Sequence, residues 1–461
     1  MKREREGMRR IAKGGYGRVF GRGMSRRRFL QLGGASLAGA TLLGTAAGCG
    51  GGGSETADDG SLIINFAFGP DASGTLQQLV QRFNEEFAGE YQANFQEQPA
   101  DTGQFFDRLR TQFQAGGGDL ALIGGDVIWP GQFAANGWIL DLSDRFTEDM
   151  RSRFLPGPIE SNTYEGAVYG VPWFTDFGVL YYRSDLLDEA GVSEPPATWQ
   201  ELQDLALQIS EDTGTQFGFA FQGANYEGGV VNGLEYIYSH GGQILSEDSS
   251  EVLVNSPEAI AGLTTQRQMV ESGAAPQAVA NYTEMESHTT FLNGNSVFLR
   301  NWPYVYGLIP DESQIERDQV GVATLPAGEG GQPSPGLGGW NFYINATANE
   351  DVQEGAWAFI EFASQPEQQK FRAIEGGFLP TLSALYEDQE VLDALPVVEQ
   401  AGGLEAIQNA TPRPTSPYYS DMSLVMAEQF NANVTGNATP EQVAQRTQEE
   451  LQSIIDQGGA A

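Results

Sequence analysis

What most limits the fold of this chain is the recurrence, from residue 62 onward, of short apolar runs each followed by a stretch with apolar residues at helical spacing. Leu62-Ile63-Ile64-Asn65-Phe66 is too short for a helix and reads as a buried strand. After the turn at Gly69-Pro70, Leu76, Leu79, Val80, Phe83 and Phe87 fall on one helical face. Phe105, Phe106, Leu109 and Phe113 form a second face that stops at Gly116-Gly117-Gly118, and Asp119-Leu120-Ala121-Leu122-Ile123 is the next strand. Further on, Thr198-Trp199-Gln200-Glu201 is a capping box that opens a helix through Leu202, Leu205 and Ile209. Val352, Ala356, Phe359, Ile360 and Ala363 mark another helix, and Ser364-Gln365-Pro366 starts the one after it. Such alternation predicts an α/β fold whose faces carry core aromatics rather than a cofactor box. At 461 residues the chain has room for two domains of ordinary size.

Charge divides the sequence at Cys49. Eleven basic and two acidic residues precede it, and fourteen basic and fifty-nine acidic residues follow, for a net charge of −36. In the basic part, Ser25-Arg26-Arg27-Arg28-Phe29-Leu30-Gln31 leads into a Gly/Ala/Leu stretch from Leu32 to Ala47, the pattern of a twin-arginine export signal. The apolar stretch is shorter than the roughly 20 residues a spanning helix requires. Ala46-Ala47-Gly48-Cys49 resembles a lipobox, with Ala46 where Leu is commonest, and predicts lipidation of Cys49. The alternative is cleavage nearby with a free thiol. Gly14-Gly15-Tyr16-Gly17-Arg18-Val19-Phe20 resembles a phosphate-covering glycine loop but lacks the lysine and catalytic-loop motifs of a kinase. Because Met24 stands just ahead of the arginines, residues 1–23 read as an extended signal or an early start. Residues 1–48 are therefore assigned to export, and 49–60, with Gly50-Gly51-Gly52-Gly53-Ser54, to a flexible tether.

The acidic body excludes several partners. Phosphate backbones and anionic membranes would be repelled, so no nucleic-acid partner is expected. One cysteine cannot form an internal disulfide, and with two histidines it leaves only carboxylates for a metal site, so neither catalytic zinc nor any cofactor is expected. Lys370 is the one lysine after Cys49, and a surface so acidic should be stabilised by salt that screens it.

Several segments are familiar in order. Asp126-Val127-Ile128-Trp129-Pro130-Gly131-Gln132-Phe133, Tyr169-Gly170-Val171-Pro172-Trp173-Phe174-Thr175-Asp176-Phe177, Phe298-Leu299-Arg300-Asn301-Trp302-Pro303-Tyr304, Gly338-Gly339-Trp340-Asn341, Gly377-Phe378-Leu379-Pro380-Thr381 and Arg413-Pro414-Thr415-Ser416-Pro417 resemble the sugar-binding proteins of ABC importers, the trehalose/maltose type in particular. The resemblance spans roughly residues 60 to 430. It implies a two-lobed periplasmic-binding-protein fold with a ligand cleft and a multi-strand hinge, the lobes being 61–176 plus 337–384 and 177–336 plus 385–461. It also implies a monomeric, non-enzymatic lipoprotein, exported and anchored to the outer face of the cytoplasmic membrane or periplasmic. Its partners would be a disaccharide such as trehalose or maltose and the transmembrane subunits of a permease.

Candidate contacts follow from sugar chemistry, in which carboxylates, amides and Arg fork onto hydroxyl pairs and flat aromatics cover CH-rich ring faces. Asp176 stands in an apolar setting where it needs partners, and Asp126 follows Gly124-Gly125 at a strand's carboxyl end, where ligands of open α/β sheets bind. Both match sugar-contacting aspartates of the family, and a turn or cap role stays open for each. Trp302 sits where a strand ends, and Trp340 follows Gly338-Gly339, where the backbone can approach a ligand closely. The family stacks aromatics at these two positions, and a half-buried core role is the alternative. Trp129, Tyr304, Asn301, Gly339 and Arg413, held between two prolines, complete the expected set. His240 and His288 have no partner motif and read as packing residues. Two other classes remain, a binder of peptides or polyamines and an exported carbohydrate-active enzyme whose two aspartates would be acid and nucleophile.

Overall fold

The computed structural model describes residues 55–458 except 72, 247, 248 and 313, so the expected export signal and Cys49 lie outside the described residues. β1 (Leu62–Phe68) pairs in parallel with β2 (Tyr91–Glu97) on one side and β3 (Leu120–Asp126) on the other. The helices Thr75–Glu86 and Thr102–Gln114 make the crossovers that parallel strands require. A small hairpin, β4 (Thr163–Tyr164) and β5 (Ala167–Val168), precedes β6 (Val171–Phe177). Beyond Gly178 the chain enters a different sheet. This four-stranded sheet contains β7 (Val179–Arg183), β8 (Phe217–Ala220), β9 (Ser296–Asn301) and β10 (Val320–Thr324), in the order β10-β7-β9-β8. β11 (Leu337–Ile344) then returns to the first sheet and inserts antiparallel between β3 and β6, and β12 (Leu379–Pro380) completes the order β12-β6-β11-β3-β1-β2. β1, β3 and β6 thus run in one direction, and Phe68, Asp126 and Phe177 share an edge of the sheet.

Both faces of the six-stranded sheet are covered. Phe66, Phe83, Phe342 and Phe359 form the core under the helices Thr75–Glu86 and Glu350–Ala363, and Phe105, Phe106, Phe133 and Tyr343 form the core on the opposite face. The four-stranded sheet packs Leu180, Phe219 and Phe298 against Trp199, Leu202 and Ile209, the apolar face of the helix Trp199–Thr213. That helix carries the capping box expected from Thr198 and Glu201, because each side chain satisfies a backbone N–H that the first helical turn leaves open. A further layer of helices, including Glu227–Ser239, Pro257–Glu271, Tyr419–Thr435 and Pro440–Asp456, buries Val230, Leu263, Met426 and Leu451.

The tether does not extend to residue 60. β3 reaches only as far as Asn65 along β1, leaving the first residues of β1 unpaired on that side. Residues 55–61 fold back to fill the gap, and the Ile63 N–H donates to the Glu55 carbonyl at 2.9 Å. A strand's start is a poor place to leave a backbone donor unpaired, so folded structure begins by Glu55.

Candidate ligand-binding site

β11 is the spine on which the expected site residues meet. Trp340 lies opposite Asp126 of β3, and Gly338 lies opposite Asp176 of β6. A Cβ built on Gly338 would stand 2.9 Å from Trp302 Cζ3 and 3.1 Å from the Cβ of Asp176, so β11, β6 and the residue after β9 converge on that glycine. Asp126, Trp340, Asp176 and Trp302 therefore form a contiguous strip along the sheet edge. Gly339 has a different task from the one expected. Its φ is +120°, and an added Cβ would stand 2.6 Å from the Phe174 carbonyl, so the missing side chain admits the β6 backbone rather than a ligand. The register with β6 shifts at Trp340/Asn341, the local bulge that sets the indole's direction.

Trp340 is half-buried on an aromatic bed, with ring centroids 5.0 Å from Phe68, 5.7 Å from Trp129 and 6.3 Å from Phe105. Trp129, expected to touch ligand, is instead 3% exposed. Its indole packs against Phe105, Phe106 and Phe133 and lies beneath Trp340, which it supports.

Trp302 is half-buried on a polar bed. The Arg300 guanidinium carbon lies 4.3 Å from its ring centroid. Arg300 is itself 1% exposed, as is its partner Glu235 on the helix Glu227–Ser239. Arg300 Nε donates to Glu235 Oε2 at 2.7 Å, Nη2 donates to Oε1, and Nη1 donates to Gln222 Oε1 at 3.1 Å. Glu235 Oε1 also accepts the Gly336 N–H at 3.0 Å. Burial raises the Glu235 carboxyl, while Arg300 and the Gly336 amide work to keep it ionised. Beside the indole, Glu284 faces the Trp302 ring nitrogen at 3.5 Å and accepts from the Tyr226 hydroxyl at 2.7 Å. Sequence reasoning singled out none of Arg300, Glu235, Glu284 and Tyr226, although Arg300 stands within the quoted segment Phe298–Tyr304.

Asn301 does not reach the strip. It is completely buried, its amide donates to Ser287 Oγ at 3.0 Å and the Glu284 carbonyl at 3.3 Å, and its oxygen accepts the Trp302 N–H at 2.8 Å. Its hydrogen bonds are spent on fixing the end of β9. The Tyr304 hydroxyl lies 2.9 Å from His288 Nδ1, and His240 bonds the Tyr236 carbonyl at 2.7 Å.

The carboxylates differ sharply. Asp126 is buried and already paired, accepting from Arg413 Nη2 at 2.9 Å and from the Ile128 N–H at 3.2 Å. Arg413 Nη1 donates to Glu227 Oε1 at 2.8 Å, and Tyr419 and Ser423 also donate to Glu227. Burial opposes the Arg413 charge, but Asp126 and Glu227 hold its pKa above the usual arginine value; the Asp126 carboxyl is raised by burial against the pull of Arg413. The pair is legible only in three dimensions, since 287 residues separate its members. Asp176 is half-buried, and no donor among the described residues reaches its carboxylate. Burial pushes it up to about 8, with Arg300 the charge that opposes the rise. A small recess opens beside Arg413, lined by Val127, Ile128, Pro130, Leu337 and Pro412.

A half-buried carboxyl without a partner among the described residues, close to half-buried indoles, offers hydrogen bonds and flat apolar faces in one place. In sequence, residues 69–370 match the bacterial extracellular solute-binding protein family. The chain is 35% identical over 341 residues to a probable ABC transporter-binding protein of Deinococcus radiodurans, covering 72% of this chain and 79% of the relative. It is 27% identical over 365 residues to a maltotriose-binding protein of Pyrococcus abyssi, covering 78% and 74%. Among solved structures, the maltose-bound MalE3 of T. maritima superposes with a TM-score of 0.79 at 36% identity, covering 85% of this chain and 99% of that one.

Proposed function

Because the chain belongs to the bacterial extracellular solute-binding protein family, we propose that it captures an oligosaccharide, a disaccharide such as trehalose or maltose, and hands it to the transmembrane subunits of an ABC importer. The observation that carries the reading is the strip of Trp340, Asp126, Asp176 and Trp302 gathered along β11. A pyranose between the indoles would cover both with its CH faces and donate hydroxyls to Asp176. The proteins of similar sequence and structure whose names mention maltose or maltotriose support the sugar class. Capture would occur by approach of the lobes 61–176 plus 337–384 and 177–336 plus 385–461, pivoting where the chain passes between sheets near Gly178, Gly336 and Leu385. The protein would act as a monomer, without cofactor and without altering its ligand.

A melting panel of sugars, peptides and polyamines tests this reading. A clear rise with maltose, trehalose or another oligosaccharide is expected, and a rise confined to peptides or polyamines would replace the sugar assignment. Release of monosaccharide from a bound disaccharide would mark an enzyme instead. We further propose export through the twin-arginine signal and anchoring by lipid on Cys49, multiple acyl chains being needed for a stable anchor. Cys49→Ser should release the protein from the membrane fraction; continued association with no lipid detected by mass spectrometry would end this proposal.

A further inference from the structure

We infer that Arg300 is a positioning residue that couples ligand contact at Trp302 to the segments by which the chain passes between its two sheets. The inference rests on the sugar-binding reading for its ligand arm. Its first support is the way Arg300 is held on three sides. Nε and Nη2 are committed to Glu235 and Nη1 to Gln222, and Gln222 is fixed in turn by donating to Ser287 Oγ at 2.6 Å and to the Arg300 carbonyl at 2.9 Å. Three of its five N–H donors are committed along the guanidinium edges, and the guanidinium carbon lies over the Trp302 indole, 4.3 Å from the ring centroid. The indole cannot tilt toward that side unless the ion pair moves.

The second support is what else the ion pair touches. The Glu235 oxygen that accepts from Arg300 Nη2 also accepts the Gly336 N–H, and the Gly336 carbonyl accepts the Gly178 N–H at 3.3 Å. Gly178 lies between β6 and β7, and Gly336 immediately precedes β11, so both are at passages between the sheets. Contact there is close. A Cβ on Gly178 would stand 2.1 Å from Glu235 Oε1 and 2.7 Å from Arg300 Nη2. Rotation about these passages therefore displaces Glu235 from at least one partner and shifts the guanidinium beneath Trp302. The same cation is the charge opposing the rise of the Asp176 carboxyl, so it acts on both ligand-facing groups of this wall. Fold stability alone would not require such a pair, since well-packed apolar side chains often replace buried ion pairs without loss.

The test uses the mature protein with maltose and trehalose as probes. Glu235→Gln keeps the volume and an acceptor for Gly336 but removes the charge that locks Arg300; Arg300→Lys keeps the charge but loses the fork and the flat face. Each should weaken binding of the sugar that binds wild type by about tenfold, the scale of a charge-assisted hydrogen bond. Each should also reduce the shrinkage in radius of gyration at sugar saturation. A merely structural role would lower melting temperature in both variants while leaving affinity and compaction at wild-type values, and that result overturns the inference. If wild type binds neither sugar, the sugar reading fails by itself and a ligand-free measurement decides the coupling. Trp302→Leu should then accelerate amide hydrogen exchange at Gly178 and Gly336, and unchanged exchange at both would overturn it.

Discussion

The two indoles of the strip, Trp340 and Trp302, are supported in opposite ways. Trp340 rests on hydrocarbon, the rings of Phe68, Phe105 and Trp129, whereas Trp302 rests on a buried guanidinium held by Glu235 and Gln222. The carboxylates show the reverse arrangement. Asp126, beside the apolar bed, is saturated by Arg413, while Asp176, beside the polar one, has an open carboxylate. Apolar support is non-directional and indifferent to pH, which suits a fixed wall. Polar support is directional and ties the indole to whatever else shares its hydrogen bonds, here the passages at Gly178 and Gly336.

The largest effect should come from breaking the polar bed. Arg300→Met leaves Glu235 buried without its cation and should cost about 3–5 kcal/mol of stability. A urea midpoint equal to wild type would show that the ion pair carries no such load. Next come the indoles. If a third of each indole's surface, about 150–250 Å² when fully buried, is covered by sugar, Trp302→Ala and Trp340→Ala should each lose about 1–2 kcal/mol of affinity, or tenfold or more. Calorimetry on the double variant sharpens the comparison, because losses that add would make the walls independent and losses that do not would make them coupled.

The carboxylates should separate in stability rather than in affinity. Asp126→Asn and Asp176→Asn should each weaken sugar binding by about 1–3 kcal/mol, but only the first disturbs an existing ion pair and should lower the ligand-free melting temperature. Wild-type affinity in both would remove them from the site. The smallest effect is a pH dependence. With Asp176 at about 8 in the folded protein against an ordinary 3.8, the folded state retains a proton that the unfolded chain has released between those values. Its contribution to stability is thus complete below pH 4 and lost as pH rises through 8. Relative to Asp176→Asn, wild-type melting temperature should fall by about 2–4 °C between pH 5 and pH 9. A constant difference would mean that the carboxyl is not perturbed.

Much of the fold was legible because it depends on neighbours in sequence. Helical faces such as Leu76, Leu79 and Phe83, the capping box at Thr198 and Glu201, and the strand ends at Asp126 and Asn301 are set by spacing and by backbone groups a few residues away. The candidates of the strip could also be picked out locally, since Asp126, Asp176, Trp302 and Trp340 stand beside glycines or at strand ends. Tertiary structure alone decided which aromatic is wall and which is bed. Trp129 and Trp340 are the same side chain, and only the insertion of β11 beside β3, more than two hundred residues later, buries one beneath the other. Likewise Asn301 is consumed by Ser287 and Glu284, and Asp126 by Arg413, because burial forces each polar group to take whatever partner the packing brings within reach. That choice is made by long-range register, which no local pattern encodes.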